Sequence, residues 1–275
     1  MKMLWILAQK ELRDGLRNRW IAAAILLLGS LALALSLLGS APTGSVSVSQ
    51  LDITVISLAS LSVYLIPLIA LMLSFDALVG EFERGTMMLL LTYPVTRWQV
   101  IMGKFLGHVL ILFVAILVGY GGALLIMIYI TGGNTEGWLA YALMMFTTLL
   151  LGAVFIALGY LISVYVKERA SAAGAAIGVW LMFVVLYDLI LFGMLLIDDQ
   201  QVIGQQVLSI LMLASPTDSY RILNLSLFEG VSQASGIAGV ANQAGMSGKL
   251  LFSAMLAWVV FPLSVTLLIF QRREL

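Results

Sequence analysis

The chain has 275 residues, of which 62% are hydrophobic and 10% are charged, and its 14 basic side chains balance 14 acidic ones. Soluble domains carry about 25% charged residues, so this composition, with a mean hydropathy of +1.09, indicates an integral membrane protein. The absence of cysteine excludes disulfides and thiolate metal sites, and the single histidine, His108, excludes a multi-histidine metal site.

Residues 1–20 are predicted to form an amphipathic helix that lies in the membrane interface. Apolar side chains repeat every four positions from Leu4 to Trp20, with basic residues among the intervening positions. A cleaved signal peptide is the competing interpretation. The apolar run that follows is too long for a signal peptide, and Pro42 disrupts the candidate cleavage site, so we expect the segment to be retained.

Six segments are long and apolar enough to cross a bilayer, which needs about 20 residues of helix. These predicted spans are 21–38, 53–75, 105–130, 138–166, 170–197 and 250–270. The run 201–214 is too short, and too rich in glutamine, to be a seventh span. The sequence therefore predicts an all-α membrane protein with six transmembrane helices.

The distribution of Lys and Arg predicts the orientation of these spans. All basic residues except Arg221 and Lys249 lie in residues 1–20, in the loop 76–104, in the turn 167–169, or at the C-terminus. Positive charge concentrates on the cytoplasmic side of membrane proteins. We therefore expect both termini in the cytoplasm and the segment 198–249 in the periplasm.

The cytoplasmic loop 76–104 is predicted to hold a short helix outside the membrane. Its apolar run, Met87–Leu91, is too short to cross a bilayer at 1.5 Å per residue. Thr86 is a candidate cap for its start, and Pro94 ends it. Thr96 then begins a new helix with the spacing of a capping box. Such a helix either rests on lipid or docks onto a partner protein.

The string ERGTMMLLLTYPVTRWQVIMGK in this loop resembles the coupling-helix loop of ABC-2-type transporter permeases. In that family an acidic pair precedes Gly-Thr, a Leu-rich turn, Pro-Val-Ser/Thr-Arg and Gly-Lys, and the short helix sits in a groove of a separate ATP-binding subunit. The resemblance implies an ATPase-coupling role for one set of residues. They are Glu81, Glu83, Arg84, Gly85, Thr86, Met87, Met88, Leu89, Leu90, Leu91, Pro94 and Arg97.

Two further strings, KELRDGLRNRW and SPTDSYRILNL, resemble the NosY branch of these permeases, which serves the maturation of the nitrous oxide reductase copper site. The resemblance implies a type V exporter-like ABC-2 fold in the bacterial inner membrane, with an N-terminal elbow helix and outer helices between spans five and six. It also implies a second copy of the chain, NosF-like cytoplasmic ATPase subunits that bind ATP and Mg, and a NosD-like periplasmic β-helix protein. The implied cargo is a sulfur or copper-related species, and export of a lipid or drug is the alternative.

The segment 198–249 is predicted to contain two outer helices and a glycine-rich, mobile stretch at 229–248. Ser215 and Pro216 are expected to end the first helix, and Thr217 or Asp218 to cap the second. The resemblance implies contact with the outer partner for the second helix. The residues concerned are Pro216, Asp218, Tyr220 and Arg221.

Asp188 is the one acid well inside a predicted span. A charge at that depth is costly and usually faces the bundle interior or a water-filled cavity. Asp188 is therefore either a residue of the translocation path, linked to substrate or protons, or a hydrogen-bonded packing acid with Tyr187 nearby.

The sequence predicts neither a catalytic nor a metal site. Fourteen methionines offer soft ligands for copper(I), but they are scattered, and methionine is a common core residue, so packing is the expected role. An intramembrane enzyme, the alternative class, would need paired carboxylates, a Ser/His pair or a metal cluster in the spans, and the sequence of the predicted spans indicates none of these. Neither Gly-Lys pair belongs to a phosphate-binding loop, so the chain cannot bind ATP by that route and a partner must bind the nucleotide. No cofactor on this chain and no nucleic-acid partner are expected.

Overall fold

A computed structural model of the protein describes residues 2–38, 50–130, 138–197, 205–225 and 246–272. Every regular element in these ranges is helical. The helices are α1 (Lys2–Leu16), α2 (Arg19–Leu38), α3 (Gln50–Ser74), α4 (Val79–Glu83), α5 (Thr86–Leu91), α6 (Arg97–Ile116), α7 (Gly122–Ile130), α8 (Trp138–Tyr165), α9 (Arg169–Leu181), α10 (Tyr187–Ile197), α11 (Gln205–Ala214), α12 (Pro216–Leu225) and α13 (Gly248–Arg272). One π-helical turn, Leu117–Gly121, joins α6 to α7, and a second, Met182–Leu186, joins α9 to α10.

Several helical runs have the length and apolar character needed to cross a membrane. In the described ranges there are five: Thr54–Glu83, Arg97–Tyr129, Trp138–Tyr165, Arg169–Met194 and Gly248–Arg272. α1 and α2 pass the same test only as a pair that is bent by 71°, and this pair makes a sixth. The all-helical, multi-pass class predicted from composition is confirmed.

α6 begins at Arg97, directly after Thr96, where the sequence predicts the start of a new helix, and it continues into the predicted span 105–130. The reason is the capping box: Gln99 N donates to Thr96 Oγ1 at 3.3 Å, and Thr96 N donates to Gln99 Oε1 at 3.0 Å. These reciprocal bonds satisfy backbone donors at the helix start, as predicted. The predicted loop 39–49 and most of the predicted mobile stretch 229–248 lie outside the described residues.

α8 is the central helix of the bundle and packs against α3, α6, α12 and α13. It is the most buried of the five candidate spans. Its close approach to α3 depends on Gly159, because a Cβ at that position would lie 2.0 Å from Ser74 Oγ. A side chain larger than hydrogen would therefore separate the two helices.

α1 lies across α6 at two glycines. A Cβ on Gly103 would lie 2.8 Å from Leu7 Cβ, and a Cβ on Gly107 would lie 2.5 Å from Glu11 Cβ. Small residues one helical turn apart allow two helix backbones to approach closely. The amphipathic N-terminal helix is thereby held against the start of α6.

Hydroxyl groups from other helices satisfy backbone carbonyls in both π-helical turns. Tyr141 of α8 donates to Tyr120 O at 2.8 Å, and Thr217 of α12 donates to Phe183 O at 3.0 Å. A π-helical turn displaces the regular backbone hydrogen bonds, and polar backbone groups inside a membrane need a partner in the protein. The second of these bonds also attaches α12 to the α9–α10 span.

Candidate functional site

The coupling segment, α4 and α5, is attached to the central helix α8. Ser163 Oγ accepts hydrogen bonds from Leu78 N at 2.9 Å and from Val79 N at 3.0 Å. The first backbone N–H groups of a helix have no partner within that helix. A side chain of α8 therefore supplies the cap of α4 and fixes where the coupling segment begins.

α5 begins after a left-handed residue, Gly85, whose φ is 68°. Glycine adopts this conformation without the penalty that a Cβ imposes. The prediction that Thr86 caps α5 is wrong, because Thr86 is the first helical residue and Gly85 holds the cap position. The Thr86 hydroxyl instead donates to Glu81 O at 3.4 Å, which links α5 to α4.

The apolar side chains of α5 divide between two faces. Met87 is buried, and Leu90 and Leu91 are partly buried against the same core. Met88 is 56% exposed and Leu89 is 66% exposed. The five apolar residues with a predicted coupling role therefore anchor the helix on one side and leave an apolar surface on the other.

Two exposed aromatic side chains extend this apolar surface beyond the end of α5. Tyr93 is 64% exposed, and Trp98 in the first turn of α6 is also exposed. We call Met88, Leu89, Tyr93 and Trp98 the coupling surface. Arg84 and Pro94, two other predicted coupling residues, are exposed on the same segment.

Glu81 faces the interior of the chain and forms an ion pair with Lys104 of α6. Lys104 Nζ also donates to Glu11 Oε1 of α1 at 2.8 Å, and its side chain is only 4% exposed. Burial raises the pKa of Glu11, but Lys104 and His108 together lower it further, so its net pKa lies below the usual value. Glu11, Glu81 and Lys104, which we call the inner charge cluster, join α1, α4 and α6.

Glu83 and Asp76 both contact Arg169, the first residue of α9. Glu83 Oε1 accepts a hydrogen bond from Arg169 N at 2.7 Å, and Asp76 Oδ2 accepts one from Arg169 Nη2 at 2.7 Å. The carboxylate of Glu83 lies at a helix N-terminus, where negative charge is favourable. Asp76, which precedes α4, and Glu83, its last residue, are thus both attached to the start of α9.

Arg97, the first residue of α6, attaches the start of that helix to the end of α13. Its Nη1 donates to Phe270 O at 2.7 Å and to Gln271 O at 2.8 Å, and its guanidinium lies 5.7 Å from the centroid of the Phe270 ring. The last carbonyls of a helix have no partner within that helix, and a cation there is favourable. The predicted coupling residue Arg97 therefore caps α13.

Asp188 forms an ion pair, and its partner is not the neighbouring Tyr187. Arg221 Nη2 of α12 donates to Asp188 Oδ2 at 2.9 Å, and Arg221 Nη1 donates to Asp218 Oδ1 at 3.3 Å. The Tyr187 hydroxyl donates to Leu211 O of α11 at 2.6 Å. We call Asp188, Asp218 and Arg221 the outer charge cluster, and it joins α10 to α12.

α12 begins two or three residues earlier than predicted, with Pro216 as its first helical residue. The prediction that Thr217 or Asp218 caps this helix is wrong, because Ser215 Oγ accepts a hydrogen bond from Asp218 N at 3.2 Å. Proline suits the first helical position, where its missing N–H leaves no hydrogen bond unmade. The Ser215-Pro216 pair therefore marks the start of α12 as well as the end of α11.

The residues predicted to contact an outer protein face the bundle. Tyr220 is fully buried, with its hydroxyl 2.8 Å from Thr148 Oγ1 of α8, and Pro216 and Asp218 are also buried. Arg221 is partly exposed and engaged with the two acids. Contact with an outer protein stays a prediction, and in this conformation these side chains pack within their own chain.

No group of three or more His, Asp or Glu side chains in the described ranges has an arrangement that suits a metal ion. Two methionine sulfurs accept hydrogen bonds from hydroxyls inside the core. Thr54 Oγ1 lies 3.9 Å from Met127 Sδ, and Thr148 Oγ1 lies 3.4 Å from Met144 Sδ. These buried methionines pack within the bundle.

Sequence reasoning missed the basic and hydroxyl partners of the predicted acids. Three side chains contact the coupling segment: Lys104, Arg169 and Ser163. From the sequence, the two basic residues serve only to orient the spans, and Ser163 has no predicted role. Lys104 carried a usable signal, because it starts an apolar run and needs a counter-charge if buried. The single histidine, His108, places its Nδ1 2.7 Å from the buried Tyr160 hydroxyl.

Comparisons with known proteins match the chain from end to end. The family described as ABC-2 family transporter protein matches residues 5–275. The chain is 44% identical over 275 residues to a "Probable ABC transporter permease protein NosY" of Stutzerimonas stutzeri, covering 99% of each chain. It is 42% identical over 277 residues to the protein of the same name from Pseudomonas aeruginosa, covering 100% of each. The similarity thus includes the coupling segment and α12 as well as the apolar spans.

Proposed function

This chain belongs to the ABC-2 family of transporter proteins and is an ABC transporter permease subunit, and from this premise we propose that it couples ATP hydrolysis in a separate ATPase to transport. The chain itself carries no phosphate-binding loop, so the proposed NosF-like subunit binds the ATP and Mg. The observation that supports docking is the coupling surface, an apolar patch on a segment that is anchored inwardly by Met87.

The contacts behind the coupling surface provide a physical route for the motion of α5. The inner charge cluster links α4 to α1 and α6. Glu83 of α4 contacts Arg169 of α9, and Arg97 links α6 to the end of α13. A displacement of the segment by the ATPase would therefore act on several spans together. In this proposal Glu81, Glu83 and Arg97 transmit force within the chain, while Met88 and Leu89 meet the ATPase.

The test is a single charge on the coupling surface. A charge buried at a protein interface without a partner costs several kcal/mol, and about 1.4 kcal/mol corresponds to a tenfold loss of affinity. We expect Leu89→Asp to reduce co-purification of a tagged ATPase subunit at least about tenfold. Because Leu89 is 66% exposed, the same change should leave the chain folded and inserted.

Two matched variants control this experiment. Leu89→Met keeps the apolar surface and should retain the ATPase. Thr92→Asp places the same charge on a neighbouring exposed position outside the coupling surface and should also retain it. Full recovery of the ATPase with Leu89→Asp would mean that α5 rests on lipid, and the docking proposal would be lost.

We propose that the functional unit contains two copies of this chain. The α9–α10 span is the least buried of the five candidate spans. Gly174 and Gly178, one turn apart on α9, have open space around the position of a Cβ. Such a pair suits close packing against another helix in a membrane. This face is therefore the one that we assign to the second copy.

We propose that the transported species serves copper-site assembly in nitrous oxide reductase, as a sulfur or copper-related compound. The support is full-length identity of 44% and 42% to two proteins named NosY. A NosD-like periplasmic β-helix protein would be the outer partner, reached by a movement of α12 that exposes residues now packed inwardly. Adjacent genes for a β-helix protein and nitrous oxide reductase are expected, and their absence would favour a lipid or drug exporter.

A further inference from the structure

The outer charge cluster contains two carboxyl groups and only one guanidinium. Asp188 lies in the first turn of α10, and Asp218 and Arg221 lie one turn apart on α12. The side chain of Asp218 is 7% exposed, that of Arg221 is 19% exposed, and that of Asp188 is 27% exposed. With both acids ionised, the cluster has a net charge of −1 in a largely buried position, which is unfavourable.

One oxygen of this cluster lacks the hydrogen bond that its burial demands. Among the buried side-chain nitrogen and oxygen atoms of the described ranges, Asp218 Oδ2 is the one without a hydrogen-bond partner. Buried polar atoms in folded proteins are nearly always hydrogen-bonded. Arg221 holds the two carboxyls side by side, since its guanidinium donates to Asp188 Oδ2 at 2.9 Å and to Asp218 Oδ1 at 3.3 Å. Two ionised carboxylates cannot hydrogen-bond to each other, because neither has a donor.

We propose that Asp188 and Asp218 form a carboxyl pair that binds one proton, held beside Arg221, at the contact between α10 and α12. The proton resides on the carboxyl of Asp218 and is donated to Asp188, so the protonated cluster is neutral: one guanidinium, one carboxylate and one carboxylic acid. Loss of the proton leaves two adjacent carboxylates that share one arginine, as in other paired carboxyl sites.

The surroundings of the pair favour proton binding near neutral pH. Burial, and then the charge of Asp188, raise the pKa of Asp218 to about 6, against the opposing effects of Arg221 and Ser215. The other titratable side chains that face the cluster from the described helices are Tyr64 of α3 and Tyr187 of α10. Both carry a phenol, so neither adds a carboxylate or a cation to the cluster.

The proton makes the docking of α12 dependent on pH. The folded-state pKa of Asp218 is above its usual value of 3.8, so the folded state binds the proton more tightly than the unfolded state does. The contact is therefore most stable below the usual value and loses stability as the pH rises through about 6. Above that pH the unneutralised carboxylate favours separation of α12 from α10.

Infrared difference spectroscopy of the purified chain in lipid nanodiscs tests the proposal directly. Acidification should produce the carbonyl band of a buried carboxylic acid in the wild-type chain, with a midpoint near pH 6. Asp218→Asn should remove this band. Asp188→Asn should shift its midpoint to lower pH, because the neighbouring negative charge is gone. Asp14→Asn, at a side chain that is 60% exposed, is the control and should leave the band unchanged.

A second measurement does not depend on assigning a band. Asp218→Asn is close in shape to the protonated acid and can donate the missing hydrogen bond, so we expect it to fold. The melting temperature of the wild-type chain, relative to this variant, should fall as the pH rises through about 6. No titrating band in the wild-type chain, or a band that persists unchanged in both Asp188→Asn and Asp218→Asn, would overturn the proposal.

Discussion

Lys104 is a single cation enclosed by two acids at the edge of the apolar bundle. Its ammonium contacts Glu11 of α1 and Glu81 of α4, while its side chain is 4% exposed. Removing one partner of a buried ion pair leaves an uncompensated buried charge, which costs more than the pair itself contributes. Here the removal of one lysine would leave two such charges, so we expect this residue to be important for stability.

We predict that Lys104→Met destabilises the chain by about 3–5 kcal/mol, the usual cost of breaking a buried pair. Unfolding of the purified chain in detergent measures the effect. Lys10→Met is the matched control, because Lys10 is 58% exposed and its contacts with Glu11 and Asp14 are both 3.8 Å long. Exposed pairs contribute about 0–1 kcal/mol.

A triple variant separates charge from packing at this position. Combining Lys104→Met with Glu11→Gln and Glu81→Gln removes the stranded charges, so it should recover much of the stability lost in Lys104→Met alone. Equal stability of Lys104→Met and Lys10→Met would show that the inner charge cluster contributes nothing.

For Asp188, the sequence shows a charge that is energetically costly to bury, but it does not show which residue pairs with that charge. The depth of Asp188 in an apolar run is visible without a structure, and so is its need for a partner. Its partner Arg221 lies 33 positions away, on a helix whose orientation depends on tertiary packing. Local sequence indicates the neighbouring Tyr187 as a hydrogen-bond partner of Asp188, but the Tyr187 hydroxyl donates to Leu211 O instead. Local sequence does not encode contacts of this range.

At the level of elements, some helix ends can be predicted from local sequence, whereas the faces of α5 cannot. The capping box at Thr96 and the end of α5 before Pro94 follow from local backbone chemistry, and both are present. A run of five consecutive apolar residues carries no periodicity, so the sequence did not show which side of α5 is anchored. The start of α5 was wrongly assigned to Thr86 because Gly85 holds the left-handed cap position.

The crossing of α1 and α6 yields a prediction at this scale. A Cβ on Gly107 would lie 2.5 Å from Glu11 Cβ and 3.0 Å from Ala8 O, so Gly107→Ala must push the two helices apart. Overpacking of this kind costs about 1–3 kcal/mol. We expect a lower melting temperature for the purified variant.

Gly193→Ala is the matched control, because nothing lies within 4 Å of a Cβ at that helical position. There alanine should be neutral, or stabilising by up to about 1 kcal/mol, since it is a better helix former than glycine. The same response in both variants would show that the close contact with α1 is not a constraint.

Across the whole molecule, the α9–α10 span is held near both of its ends. Arg169 at its start contacts Asp76 and Glu83, and Asp188 in its second half contacts Arg221 of α12. A π-helical turn, Met182–Leu186, lies between these contacts, and such turns are frequent at functional sites in helices. The coupling segment and the outer charge cluster are therefore attached to opposite parts of one span, as the proposed transmission of motion across the membrane requires.

The orientation of the whole chain is the remaining prediction, and it comes from charge alone. With both termini in the cytoplasm of a bacterial inner membrane, the turn that contains Glu168 faces inward and the segment that contains Ser235 faces the periplasm. The chain has no native cysteine, so each position can be tested by one substitution. On intact spheroplasts, a membrane-impermeant thiol reagent should label Ser235→Cys and not Glu168→Cys. After permeabilisation, Glu168→Cys should also react, because Glu168 is exposed. Labelling of Glu168→Cys alone on intact spheroplasts would reverse the orientation and place the coupling surface beyond the reach of a cytoplasmic ATPase.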